Sequence, residues 1–163
     1  MAIILPLLLL VLTGILQFGV LLSGQIAFVN GVRDAARYGS VLQTSTSGGA
    51  TTNGAAVSSY LTNPSTPKGI LPTRMPGYQA ARLTGPAISY CKYQNPNSSP
   101  PTYSVRLTVA ADYNHALFVP IIAQIIDGLD GSFDDGFELH ASEQFRVENI
   151  PLQANEVSSL SAC

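Results

Sequence analysis

The sequence predicts an α+β fold in which a long apolar N-terminal helix carries a small antiparallel sheet and one or two short helices. Three observations support this class. Residues 1–32 contain no Asp, Glu, Lys or Arg. Residues 103–113 alternate between mainly apolar and mainly polar side chains, as in a strand that buries one face. Residues 137–147 show a second alternation of this kind, interrupted once.

The N-terminal apolar segment is long enough to cross a membrane. An uncharged stretch beyond about 18 residues is typical of a spanning helix. A cleaved signal peptide has a basic start and a shorter apolar core, so we expect this segment to be retained. No strong helix breaker follows it at once, and we expect one helix over about residues 3–42, roughly 60 Å long at about 1.5 Å per residue.

Small residues recur at every fourth position of this helix. Such spacing lets helix backbones approach closely, and it predicts contact with an obliquely crossing neighbour or with several neighbours in turn. Chance alignment is the alternative, because small residues are frequent in membrane helices. The predicted packing positions are Gly19, Ser23, Ala27, Gly31, Ala35 and Gly39.

The middle of the chain predicts a linker, a short helix and a loop. Residues 43–54 are rich in Ser, Thr and Gly, and we expect them to link the helix (1–42) to a small globular domain (55–163). Residues 55–61 favour a short helix. Residues 62–78 contain four prolines and predict an irregular loop.

The second half of the chain predicts the sheet. Residues 79–93 indicate one or two strands interrupted at Gly85-Pro86, and residues 103–113 form the clearest strand. The apolar run 116–126 favours a short helix beginning at Pro120. In the last strand Glu143 occupies an inward position, which indicates a bulge or a sheet edge. The inward apolar set of that strand is Phe137, Leu139, Ala141, Phe145 and Val147.

The sequence permits two covalent modifications, a disulfide and a glycan. Cys91 and Cys163 permit one disulfide in an exported domain, which would hold the C-terminal tail, and two free thiols are the alternative. Asn97 begins an Asn-Ser-Ser sequence in a proline-rich loop, which predicts an exposed site for glycosylation.

Catalysis, cofactors and nucleic acid are not indicated. The sequence lacks serine-hydrolase, zinc-protease and phosphate-loop motifs, and His115 and His140 have no motif beside them. We therefore expect no enzyme, no cofactor and no metal site. A net charge of −2 gives no basic patch for nucleic acid. Calcium is a minor alternative at the acidic loop, whose spacing does not match an EF-hand; its acids are Asp127, Asp130, Asp134 and Asp135.

The N-terminal segment resembles the TadE-like pseudopilins of tight-adherence (Tad) pilus systems, within the broader type IV pilin-like group. The residues that carry the resemblance are ILPLLLLVLTGILQFG (4–19), Gln25 and VNGVRDAARYGS (29–40). Residues 105–120 and 137–148 match more loosely. Members of the family carry a basic leader and a glutamate before the apolar stretch, and the present sequence begins inside that pattern.

The resemblance implies a pilin-like structural subunit of an extracellular filament. Its partners would be copies of itself in a helical homopolymer, other pilins, or both. The chain would lie in the inner membrane before assembly and on the cell surface afterwards. One alternative is a minor TadE-like pseudopilin that stays in the inner membrane and primes or tips a pilus. Another, from a different class, is a membrane-anchored ligand-binding domain.

The first charges of the chain would then form the stem of the helix. Arg33 and Arg37 are one turn apart on one face, and Asp34 lies beside them. We expect the arginines at lipid headgroups or paired with acids of an adjacent subunit, whereas a solvated helix end is the plainer alternative. Tyr38 fits an aromatic residue at the membrane interface.

Overall fold

A computed structural model of the chain confirms the α+β class. It describes residues 4–42, 49–65, 69–99, 102–117, 136–147 and 160–163, with the backbone alone at 49–52. The predicted helix at Pro120 and the acidic loop that follows it lie outside the described residues. The elements are α1 (Ile4–Val41), α2 (Gly49–Thr62), α3 (Ile70–Arg74), a 3-10 turn (Ala80–Arg82), β1 (Leu83–Gln94), β2 (Tyr103–Ala116) and β3 (Gly136–Arg146).

Helix α1 agrees with the predicted helix to within one residue at each end. Its 38 residues extend for about 57 Å at about 1.5 Å per residue. Pro6 lies in its first turn, where a backbone N–H would have no partner within the helix, so the proline removes no hydrogen bond. The uncharged segment and the charged stem therefore form one continuous helix.

Helix α2 begins at Gly49, so the predicted linker is wrong over residues 49–54. The Thr, Asn and Gly residues of this stretch are poor helix formers. Val57 and Leu61 lie one turn apart and are both fully buried in the core. Tertiary packing of this apolar pair outweighs the weak local preference, as is usual for short helices.

Helix α3 interrupts the segment that the prolines predict to be an irregular loop. Ile70 and Leu71 are buried, and both side chains lie against Gly31 of α1. Pro72 occupies the third helical position, where no N–H is needed for an intrahelical bond. The helix therefore forms where two apolar residues reach the core despite the proline.

The three strands form an antiparallel sheet in the order β1-β2-β3. The segment predicted as one or two strands is a 3-10 turn followed by a single strand, which continues through Gly85-Pro86 with a shift of register between Thr84 and Ala87. Gly85 has a φ of 96°, a conformation that side chains with a Cβ disfavour. The predicted interruption is thus an irregularity within β1.

The core lies between the sheet and the second half of α1. Tyr113 of β2 fills its centre: its ring centroid is 6.0 Å from that of Phe28, and its hydroxyl accepts a hydrogen bond of 2.9 Å from the Gln79 backbone N–H. The inward residues of β2 are all at most 2% exposed, and they are Val105, Leu107, Val109, Ala111 and Tyr113.

Glu143 marks an edge strand among the described strands. The pairing of β2 with β3 is unbroken from Arg106 to Ala116, so the alternative of a bulge is wrong. Glu143 keeps the inward position and meets α1, where its carboxylate lies 3.6 Å from Arg33 Nε. The break in apolar alternation therefore reflects a helix–sheet ion pair.

The C-terminal residues are attached to the free side of β1. Ala162 pairs with Lys92 in parallel, and the Cys163 N–H donates a 3.0 Å hydrogen bond to the Lys92 carbonyl. A disulfide joins Cys163 to Cys91. The tail is thus held by both backbone and covalent contacts.

Candidate functional site: the exposed face of the N-terminal helix

Helix α1 consists of two parts with different surroundings. From Ile4 to Leu16 no side chain is buried, and Ile4, Leu8 and Ile15 are each at least 65% exposed. From Gln17 onward one face is packed on the rest of the chain. Its buried residues are Gln17, Leu21, Gly24, Phe28, Gly31, Val32, Ala35, Ala36, Gly39 and Ser40.

Apolar exposure continues along the opposite face of the packed part. Phe18, Leu22 and Ile26 are 54%, 53% and 63% exposed. By length and composition α1 could cross a membrane. A contiguous apolar surface of this extent is unusual for a soluble monomer and is typical of a surface that lipid or another protein covers. The exposed face of α1, from Ile4 to Ile26, is the candidate functional surface.

The six small residues divide between these environments. Gly31, Ala35 and Gly39 are buried by their own chain. A Cβ at Gly39 would come within 2.6 Å of both Leu107 and Val57 side chains. Gly19 and Ser23 are exposed, and nothing lies within 4 Å of a Cβ built on Gly19. Within the described chain, close packing therefore uses the second half of the pattern.

The exposed small residues line a groove beside α3. The groove has a volume of ≈ 550 Å³, and Arg74 of α3 stands at one end of it. Its lining residues are Gly19, Leu22, Ser23, Ile26, Ala27, Asn30 and Arg74. Nothing in the sequence pattern had indicated that Arg74 reaches α1.

The charged stem lies directly after this groove. Arg74 Nη1 donates a 2.6 Å hydrogen bond to Asp34 Oδ2, and Arg33 pairs more loosely with Glu143. Arg37 is exposed and has no ion-pair partner among the residues that the structure describes. The sequence missed Arg74 altogether, whereas Glu143 was visible as a break in alternation.

Tyr38 contacts α2. Its ring stacks on Tyr60 with centroids 4.2 Å apart and planes inclined by 16°. The sequence did not indicate this contact. A location of Tyr38 at a membrane surface stays a prediction.

The two histidines have unlike surroundings. His115 is 3% exposed, and its ring leaves no room for a Cβ on Gly24 of α1. His140 lies on the outer face of the sheet, where Nδ1 is 2.6 Å from Asp112 Oδ1. The pKa of His140 is raised, chiefly by this hydrogen bond and further by the charges of Asp112 and Glu138, while desolvation opposes the rise.

Other candidate positions are separate from α1. Asn97 is exposed in the turn between β1 and β2, and its glycosylation stays a prediction. The acids considered for calcium lie outside the described residues. Within the described part of the chain, no group of three or more His, Cys, Asp or Glu residues is arranged to hold a metal ion.

Among known proteins, a match is found for the segment that contains the exposed face of α1. A family model described as TadE-like protein matches residues 1–37. No curated protein and no solved structure matches the chain. The TadE-like family is structural and non-enzymatic. The match and the apolar helix fit a pilin-like protein of a Tad system, in which a membrane anchor and a surface pilus are both expected.

Proposed function

We propose that the chain is a pilin-like structural subunit of an extracellular filament of the type IV or Tad kind, assembled through α1. The observation that carries this proposal is the exposure of the apolar segment from Ile4 to Leu16, in which no residue is buried. The other end of the same helix is held in the core of the domain. The chain therefore has a globular domain from which an apolar helical segment, Ile4 to Leu16, projects; we call this segment the rod.

Burial of the rod would drive assembly. Apolar surface removed from water contributes about 25 cal/mol per Å², so burial of this exposed apolar segment against lipid or other helices is strongly favourable. One rod packed on the next head-to-tail repeats the same contact in every subunit, and such a contact generates a helical polymer when its rotation does not close into a ring. Before assembly the inner membrane would cover the same side chains.

The outer face of the sheet suits display to solvent. Arg106 Nη1 donates a 3.3 Å hydrogen bond to Gln144 on β3, and Asp112 pairs with His140. This polar face lies opposite the face that packs on α1. In the proposed filament, rods would form the centre and polar sheet faces would form the surface.

A minor pseudopilin in the inner membrane is the second candidate, favoured by the matching family model itself. Both candidates use the same helix and the same membrane stage. They differ in copy number: a major subunit forms the filament, whereas a minor one primes or tips a filament of another pilin.

Electron microscopy of sheared surface material, with mass spectrometry of its dominant band, tests the proposal. Filaments composed mainly of this chain support the major-subunit role. Filaments made of another protein, with this chain retained in membranes, support the minor role. A chain that stays monomeric in membranes, without any effect of its deletion on filaments, contradicts both and favours a membrane-anchored ligand-binding domain.

A paired set of variants makes the test specific for α1. Leu8→Asp places a charge on the exposed apolar part of the rod, where Leu8 is 65% exposed, and it should abolish incorporation into filaments. Arg106→Gln changes an exposed side chain on the outer sheet face and should leave incorporation intact. Equal loss in both variants would show that assembly does not depend on the apolar rod.

A further inference from the structure

We propose that the groove between α1 and α3 binds one anionic phospholipid, with an acyl chain along α1 and the phosphate at Arg74. The inference rests on the proposed function only in requiring that the chain resides in a membrane. It adds one specifically bound lipid to a surface for which the sequence predicted packing between helices.

The apolar length of the groove matches an extended chain. Leu22 and Ile26 form one wall, and both are more than half exposed. Gly19 opens the far end, where an added Cβ would meet nothing within 4 Å. From Gly19 to Asn30 the helix rises about 16 Å at about 1.5 Å per residue, which is comparable to an extended acyl chain.

The polar end of the groove suits a phosphate. Arg74 uses Nη1 to bind Asp34, and the other donors of its guanidinium face no partner among the described residues. A planar guanidinium can bind a carboxylate and a phosphate oxygen at the same time. The Asn30 side chain is exposed at the same end and offers an amide donor.

The charge around this end is positive. Arg33 and Arg37 follow Asn30 within two turns on the same face of α1, and Arg33 also pairs with Glu143. Among the residues that the structure describes here, three arginines, counting Arg74, lie near the two carboxylates of Asp34 and Glu143, which leaves a net charge of +1. An additional anion is therefore favoured where the apolar face ends.

A lipid fits the two ends better than a neighbouring rod does. The segment from Ile4 to Leu16 of another copy could cover Leu22 and Ile26, but it carries no charged side chain for Arg74. A phospholipid covers the apolar wall and supplies the anion. The first charged side chains at the groove lie where a spanning helix would leave the hydrocarbon. Lipid headgroups are found at this depth.

Lipid retention by the full-length protein tests this inference. The protein is equilibrated with vesicles of phosphatidylcholine and phosphatidylglycerol in equal parts, recovered in mild detergent, and analysed by native mass spectrometry. We expect one retained phosphatidylglycerol per chain, preferred about fivefold over phosphatidylcholine as for one favourable arginine contact at an anionic surface. The assay needs no filament, so it can succeed or fail independently of the proposed function.

Matched variants test the phosphate end and the apolar end of the groove separately. Arg74→Gln should lower phosphatidylglycerol retention about fivefold, to the level of phosphatidylcholine, and Arg74→Lys should lower it less. Gly19→Leu should fill the apolar end and reduce retention of both lipids. Gln25→Leu places the same leucine on α1 outside the groove, and Arg106→Gln removes the same charge from the outer sheet face. Both variants should bind as the wild type does.

Three results would overturn the inference. Retention that does not depend on headgroup removes the role of Arg74. Retention that is unchanged in Gly19→Leu places any lipid outside the groove. Loss of filament incorporation in Gly19→Leu, with wild-type lipid retention, would show that a second copy of the chain occupies the groove instead.

Discussion

Gly39 on α1 lies so close to Leu107 on β2 that a Cβ at the glycine would stand 2.5 Å from Leu107 Cδ2. This approach holds the stem of the helix against the centre of the sheet. This member of the small-residue pattern therefore serves packing within the chain, since Leu107 of the sheet and Val57 of α2 together require the absence of a side chain here.

Gly39→Ala should therefore destabilise the fold, although alanine favours a helix. Overpacking of a buried site costs about 1–3 kcal/mol of the free energy of unfolding, and the neighbouring Val57 limits relaxation. Gly19→Ala is the matched control and should gain up to about 1 kcal/mol, because its Cβ meets open space. Chemical unfolding in mild detergent, followed by circular dichroism, measures both. Equal effects would contradict the close approach at Gly39.

The ion pair between Arg33 and Glu143 should contribute little stability. The side chains are 60% and 23% exposed, and pairs of this kind contribute less than about 1 kcal/mol. A double-mutant cycle with Arg33→Gln and Glu143→Gln should give a small coupling energy that decreases as salt is added. A control cycle that combines Arg106→Gln, on the opposite face of the sheet, with Glu143→Gln should give no coupling energy. A coupling insensitive to salt would show that the pair is more buried than its geometry indicates.

His140 should make stability depend on pH. Its pKa in the folded protein is raised above the ordinary value of 6.5, first by the hydrogen bond to Asp112. The stabilisation is therefore fully present below about pH 6.5 and is lost as pH rises through the raised pKa. A proton NMR titration of the His140 ring gives the pKa directly. Asp112→Asn should return it toward 6.5, and Glu138→Gln should lower it less; an unshifted wild-type value would contradict the pair.

Cys163→Ser should release the C-terminal residues from β1. The disulfide joins cysteines separated by 72 positions, and closing a loop of this length stabilises by up to about 4 kcal/mol in the chain-entropy description. Denaturant unfolding with and without reductant measures the loss. Reductant should lower the midpoint of the wild type to that of the variant and leave the variant unchanged. A wild-type midpoint indifferent to reductant would argue against a stabilising bridge.

The candidate surface was partly visible in the sequence. The uncharged stretch predicts an exposed apolar helix, and the spacing of small residues predicts close packing. What the spacing alone could not reveal is which small residues already contact their own chain. Gly31 is covered by Leu71 and Gly39 by Leu107, and both partners lie far away in sequence. Only Gly19, Ser23 and the half-buried Ala27 remain on the open groove.

The sequence by itself determined the long helix and the inward sets of β2 and β3, because helical continuity and strand alternation are local properties of neighbouring residues. Tertiary structure decided the extent of α2, the existence of α3, the ion pair at Glu143 and the place of Arg74 beside α1. Each depends on residues brought together from distant positions, where burial of apolar groups and pairing of charges outweigh local preference.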